Sequence, residues 1–112
     1  MPNYSSLDAS AVFAALGDPT RRAVLQKLTE GDAPVGALVA PHDMALPTFL
    51  QHLRVLEAAN LITTRKVGRT RICSLQPGGL DAATAWLREI EAGWERRLDH
   101  LARHLHEEGE NP

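Results

Sequence analysis

Leucine and phenylalanine recur three or four residues apart between positions 46 and 56, which is the spacing of one helical face. This stretch predicts an amphipathic helix over residues 46–59 whose apolar side faces a core. Asn60 suits the left-handed position that often ends a helix. The apolar positions of the predicted face are Leu46, Phe49, Leu50, Leu53 and Leu56.

Three shorter helices are predicted upstream of it. Residues 7–16 have an apolar face and end before a glycine. Asp18 and Pro19 start a second helix, because Asp18 can accept backbone N–H groups and proline fits the first helical position. Gly31 ends that helix, and a third, short helix is predicted over about 34–39.

The pattern changes period after Leu61. β-Branched residues on both sides of Gly68 predict a two-stranded hairpin over 61–75. A Gln-Pro-Gly-Gly break follows, and then a helix over about 80–108 in which apolar residues repeat every seven positions, as in a coiled coil. This seam predicts a homodimer whose interface contains Leu80, Leu87, Ile90, Trp94, Leu98 and Leu101.

Length and composition restrict the class of protein. The 112 residues fit one domain, taken as residues 1–112, and 44% hydrophobic residues argue against disorder. No apolar run approaches the roughly 20 residues of a transmembrane helix, and the first ten residues lack the parts of a signal peptide. The single cysteine, Cys73, excludes an internal disulfide and a paired-cysteine zinc site. We therefore expect a cytoplasmic protein with no membrane partner.

The formal net charge of -2 hides an uneven distribution along the chain. Residues 19–75 carry eight cationic and four acidic side chains, a net charge of +4, whereas residues 76–112 carry a net charge of -4. A basic middle between acidic ends suggests a face that binds a polyanion. Ordinary surface charge is the plainer alternative, and composition alone does not reject it.

The order of the elements predicts a mainly α fold with a small β-hairpin, a winged helix-turn-helix with a long C-terminal dimerisation helix. The helix-turn-helix spans about 34–59, and the basic hairpin after it has the position of a wing. A helix fits the major groove of double-stranded DNA, and wing arginines can reach phosphates. The expected contacts are Thr48, Gln51, His52 and Arg54 on the helix and Arg65, Lys66, Arg69 and Arg71 on the wing.

Three segments carry a family resemblance: VFAALGDPTRRAVLQKL, HLRVLEAANLI and RKVGRTRICSL. Together they resemble the ArsR family of winged-helix regulators over nearly the whole chain, about residues 12–105. The resemblance implies a homodimeric DNA-binding repressor that dimerises through its first and last helices. The heptad seam found above agrees with that implication.

The chain departs from the family pattern in two places. Family members often have Ser-Lys or Ser-Arg before the HLRVLE stretch, where this chain has Leu50-Gln51. Metal-sensing members have a cysteine pair near the third helix, and the corresponding segment APVGALVAPHD has none. We therefore expect no thiolate metal site and no cofactor, and the sequence does not identify a small-molecule effector.

Other candidate residues allow more than one interpretation. Arg21 and Arg22 can bind phosphate or form structural bonds, and His52 can cap or pack instead of touching DNA. His100 and His104 have a spacing that can hold zinc, but a solvated helix end is the favoured reading. Trp86 lies one residue off the seam and is a candidate for an effector pocket.

The rival function is a dimeric protein–protein or effector-binding adaptor that keeps the winged-helix shape without reading DNA. Leu50-Gln51 and the modest basic charge are its support. Under this alternative, the polar residues of the second helix are an ordinary solvent-exposed face. The wing charges then only keep the hairpin from aggregating. No catalytic residues are expected, because no Ser/His/Asp set, paired acids or phosphate-binding glycine loop occurs.

Overall fold

The computed structural model describes the backbone of residues 6–110 and the side chains of residues 9–107. Residues 1–5, on which part of the expectation of no signal peptide rests, lie outside this range. The mainly helical fold, small antiparallel sheet and long last helix confirm the predicted winged helix-turn-helix class. The elements are α1 (Ser6–Leu16), α2 (Pro19–Leu28), β1 (Ala33–Pro34), α3 (Val35–Val39), α4 (Leu46–Ala58), β2 (Ile62–Val67), β3 (Thr70–Leu75) and α5 (Asp81–Glu110).

The core forms around the apolar face of α4. Phe49 and Leu56 are 0% exposed, and Leu53 is buried beside them. Leu50 is half-buried and packs against the same cluster. Leu46 differs from the prediction, since it is 50% exposed at the first residue of the helix. Burying one side chain of this size contributes about 2 kcal/mol, so the packing of three of them holds α4 in one rotational setting.

The predicted start of α2 and end of α4 are confirmed. Oδ1 of Asp18 accepts the N–H groups of Thr20 at 2.8 Å and Arg21 at 3.1 Å. Asn60 follows α4 with a φ of 59°, the left-handed conformation that asparagine tolerates better than most residues. These two residues set where the helices begin and end.

The sequence did not reveal β1. Its two residues pair antiparallel with β3, Ala33 with Cys73 and Pro34 with Ile72, so that β3 is the central strand of the order β1-β3-β2. A two-residue strand containing proline has no periodicity to detect, and proline is tolerated because β1 is an edge strand. The pairing fixes the start of α3 to the base of the hairpin.

Cys73 is fully buried in this central strand. Burial raises the pKa of its thiol, and the Glu57 carboxylate adds to the rise while Arg71 opposes it. A buried thiol with a raised pKa is a poor nucleophile, so Cys73 acts as a small apolar core residue.

The last helix, α5, has 30 residues and is packed on the core only at its start. Ala82 and Ala83 are buried, and the ring of Trp86 packs edge-on against Phe13 of α1 with centroids 5.5 Å apart. Beyond them the helix carries an exposed apolar stripe, which we call the α5 stripe. It consists of Leu87, Ile90, Trp94, Leu98, Leu101 and Leu105.

Leu80 lies apart from the α5 stripe. It precedes the helix and lines an apolar cleft of about 270 Å³ with Leu25, Leu61 and Leu75. The prediction that Leu80 belongs to a dimer interface stays a prediction, but its surroundings are the base of the hairpin and the end of α2.

Replacing Asp18 by alanine is expected to lower the free energy of unfolding by about 1 kcal/mol at neutral pH, because α2 loses its N-cap. Partial burial acts to raise the pKa of Asp18. The N–H bond from Arg21, the imidazole of His52 whenever it is protonated, and the N–H bond from Thr20 outweigh burial and lower the pKa from its usual 3.8. The stabilisation is therefore complete above the unfolded-state pKa and is lost as the pH falls through the folded-state pKa.

Urea denaturation at fixed protein concentration, repeated from pH 7 down to about pH 3, measures this difference. Asp43→Ala is the matched control, because Asp43 is exposed and makes no hydrogen bond or ion pair with any described residue. A difference for Asp18→Ala that stays constant into acid would contradict the assignment.

Candidate nucleic-acid interface

One side of α4 is exposed along its length, opposite the face that packs on the core. Thr48, Gln51 and Arg54 lie three residues apart on this side, and all three are exposed. The N-cap residue Ala45 makes no side-chain cap, so the first-turn N–H groups are not capped by it. The structure thus brings three of the four predicted helix contacts together on one surface, which we call the α4 face.

Two members of the α4 face are bonded to each other. Nη1 of Arg54 donates a hydrogen bond of 2.7 Å to Oε1 of Gln51. Because a guanidinium has no acceptor, the amide atom that faces it must be the oxygen. The amide N–H groups of Gln51 and the other N–H groups of Arg54 are not used in this bond, and both residues are exposed.

His52, the fourth predicted contact, points toward α2. Its side chain is 19% exposed, and its Nδ1 lies 3.1 Å from Nη1 of Arg21 and 3.9 Å from Oδ1 of Asp18. Since arginine can only donate, Nδ1 is the acceptor in the contact with Arg21. The structure separates His52 from the α4 face, and a DNA contact by this residue stays a prediction.

Arg21 connects three helices. Its Nε donates to the carbonyl of Ala15 at 2.7 Å and its Nη2 to the carbonyl of Ala14 at 3.1 Å, while Nη1 reaches His52. The last carbonyls of a helix lack partners within it, and a cation there also complements the helix dipole. Arg21 therefore caps the C-terminal end of α1 and holds α4 beside that helix.

Arg22 makes a similar but smaller contribution, with Nη1 donating to the carbonyl of Leu16 at 2.7 Å. The sequence left open whether Arg21 and Arg22 bind phosphate or stabilise the fold, and both take structural roles here. The available signal was their position, a few residues after a helix that ends just before Gly17.

The wing cations divide into two groups. Arg65 donates to Oγ of Ser74 at 2.7 Å and pairs with Asp32 at 3.2 Å, and Arg71 donates to Oγ1 of Thr64 at 2.9 Å. The side chains of Arg69, at the turn, and Lys66, close to it, make no hydrogen bond or ion pair with any described residue.

A chain of hydrogen bonds joins the wing to α4. Oγ1 of Thr64, which accepts from Arg71, donates to Oε2 of Glu57 at 2.9 Å. Glu57 lies near the C-terminal end of α4, so this contact holds the hairpin at a set angle to that end of the helix. Between them lies a cleft of about 290 Å³.

The described part of the chain contains neither a metal-binding cluster nor a helix able to cross a membrane. No three His, Cys, Asp or Glu side chains within it are close enough to hold a metal ion together. None of its helices is both long and apolar enough to cross a membrane.

The fold and the α4 face define a DNA-binding winged helix-turn-helix protein, and sequence comparison agrees with that class. Residues 16–65 match a family described as a helix-turn-helix domain. The chain is 34% identical over 111 residues to the HTH-type transcriptional regulator Rv2034 of Mycobacterium tuberculosis, covering 99% of each chain. It is also 32% identical to the transcriptional repressor SdpR of Bacillus subtilis, over 68% of this chain and 84% of SdpR.

Solved structures show the same relationship. The crystal structure of the ArsR family transcriptional regulator RHA00566 superposes with a TM-score of 0.77 at 44% identity, covering 81% of this chain and 94% of that one. An ArsR-like transcriptional regulator from Rhodococcus sp. RHA1 gives a TM-score of 0.72 at 30% identity, over 87% and 92% of the two chains. This chain belongs to the ArsR family of helix-turn-helix transcriptional regulators, and its relatives and fold are those of regulators, not enzymes.

Arg21→Met is expected to lower the free energy of unfolding by about 2 kcal/mol, because it removes charged hydrogen bonds from partly buried carbonyls while keeping the aliphatic stem. Arg22→Met is the matched comparison, since Arg22 is exposed and serves one carbonyl, and its loss should stay below about 1 kcal/mol. Urea denaturation at one protein concentration measures both. Equal losses would show that Arg21 does not hold the helices together.

Proposed function

We propose that this protein is a homodimeric, sequence-specific repressor that binds double-stranded DNA in the cytoplasm. The observation that supports the proposal is the exposed α4 face, together with two wing cations whose side chains make no hydrogen bond or ion pair among the described residues. Family membership supports the DNA-binding part. Dimerisation, sequence specificity and repression rest on the arguments below.

The α4 face has the chemistry of a reading surface. Thr48, Gln51 and Arg54 are polar and exposed, and amide and guanidinium groups are the side chains that most often pair with base edges in the major groove. The N-terminal end of a recognition helix commonly makes the closest approach, and Thr48 lies there. His52 would contribute by fixing α4 against α2 in addition to any contact of its own.

The wing supplies phosphate contacts in this proposal. Lys66 and Arg69 are available without breaking an internal bond. Arg65 and Arg71 remain proposed contacts, since a guanidinium that makes one or two bonds retains further N–H donors. Such contacts position the protein on DNA but carry no sequence information.

The α5 stripe supports a dimer. Trp94 and Leu105 are 64% and 65% exposed in the single chain, and the stripe repeats with coiled-coil spacing. An apolar surface of this length on a helix is typical of an interface between protein chains. Pairing two stripes about a two-fold axis would present two α4 faces for half-sites about 34 Å apart in successive major grooves.

The departures from the family pattern do not favour the adaptor alternative. Leu50 is half-buried against the core, and Gln51 lies on the α4 face in a bond with Arg54. The residues around α3 contain no cysteine, which supports the proposal that the thiolate metal site is absent. SdpR is named a repressor, and repression is the regulatory sense proposed here.

Binding to a duplex taken from upstream of the protein's own coding region tests the function. Fluorescence anisotropy at two salt concentrations should show tight, salt-sensitive binding that exceeds binding to a scrambled duplex. Arg69→Ala should weaken binding to both duplexes and reduce the salt slope by about 1 for each lost phosphate contact. Gln51→Ala should weaken binding to the upstream duplex by about 1–3 kcal/mol and leave the scrambled one nearly unchanged.

Arg88→Ala is the matched control, because Arg88 is an exposed arginine of α5 that belongs to neither the α4 face nor the wing. Equal losses for Arg69→Ala and Gln51→Ala on the two duplexes would contradict the division between phosphate and base contacts. Weak, equal binding of the unchanged protein to both duplexes would favour the adaptor.

A further inference from the structure

We infer that the bonded pair of Gln51 and Arg54 makes α4 a reader of guanine. The inference rests on the proposed DNA-reading function and adds the base that the helix selects. It follows from which hydrogen-bonding groups the α4 face has left to offer once its internal bond is made.

The pair offers more donors than acceptors. Oε1 of Gln51 already accepts from Nη1 of Arg54 at 2.7 Å, which leaves it one lone pair beside the two N–H groups of the amide. The guanidinium of Arg54 carries N–H donors and no acceptor. A hydrogen bond from a charged donor is stronger than one between neutral groups, so the acceptor of Gln51 is not easily released to a base.

One carboxylate of α4 lies near this pair. Glu57 follows Arg54 by about one helical turn, lines the same cleft, and uses Oε2 to accept from the hydroxyl of Thr64. His52 is directed toward α2, where its Nδ1 contacts Arg21. The Thr48 hydroxyl can donate or accept and adapts to the base beside it.

The base edges in the major groove differ in the groups they expose. Guanine offers two acceptors, N7 and O6, whereas adenine offers one acceptor and one donor. Cytosine offers a donor, and thymine offers one acceptor beside a methyl group. A free glutamine pairs with adenine through its oxygen and its amide group together, whereas here one lone pair of that oxygen is already used by Arg54. Guanine, with two acceptors, best matches a pair that offers mainly donors.

Selection of bound duplexes from a random pool tests the inference. The unchanged protein should enrich sites with a guanine at one symmetric position in each half-site. Arg54→Ala releases Oε1 of Gln51 and should shift that position from guanine toward adenine, changing the ratio of the two by about tenfold or more. Arg88→Ala should keep guanine.

Atomic substitution within the selected site provides a second test that needs no variant. Replacing the guanine by 7-deazaguanine removes N7 and should weaken binding about tenfold. Inosine keeps N7 and O6 and loses only the minor-groove amine, so it should bind as well as guanine.

The outcomes separate the two proposals. Enriched sites with adenine or cytosine at the α4 positions, or equal tolerance of 7-deazaguanine and inosine, would overturn guanine reading and leave sequence-specific binding intact. A pool from which no duplex is enriched would overturn the proposed function itself.

Discussion

The packing of Phe49, Leu53 and Leu56 into the core determines which residues of α4 face outward. A helix can present only one face to a neighbour, so burying these positions leaves Thr48, Gln51 and Arg54 on the other side. The same burial places the end of α4 where Glu57 can accept from the wing. Because the core fixes the rotation of α4, the α4 face and the wing keep a fixed orientation relative to each other.

Arg21 adds the second restraint. It bonds to the last carbonyls of α1 and to His52, so the recognition helix is attached to α1 as well as to the core. Since α1 packs on the start of α5, the same restraint links the α4 face to the helix that carries the α5 stripe. The orientation of α4 is thereby coupled to the surface through which a second chain would be held.

The charge available to a polyanion is smaller than the sequence suggests. Residues 19–75 have a net charge of +4, but Arg21 and Arg22 are directed at helix carbonyls and Arg65 at Asp32. Lys66 and Arg69 remain available at the hairpin turn. The acidic net charge of residues 76–112 would hold most of α5 away from phosphates.

Strong periodicity and local capping made much of the fold predictable. The helical spacing around Phe49, the Asp18 cap and the turn at Gly68 each depend on residues close in sequence, and the structure confirms them. The strand β1 was missed because two residues carry no period. The orientation of His52 depends on Arg21, which lies 31 positions away, so no local pattern could reveal it.

In the proposed dimer the α5 stripe joins two chains so that their α4 faces are spaced for one turn of DNA. Double electron–electron resonance with a spin label on Thr48→Cys measures that spacing directly. Because Cys73 is fully buried and should not take the label, the parent protein treated with the same label is the control. A dimer joined through the α5 stripe should give one distance between protomers of about 34 Å. The absence of any distance between protomers, or a distance far from one helical turn of DNA, would contradict it.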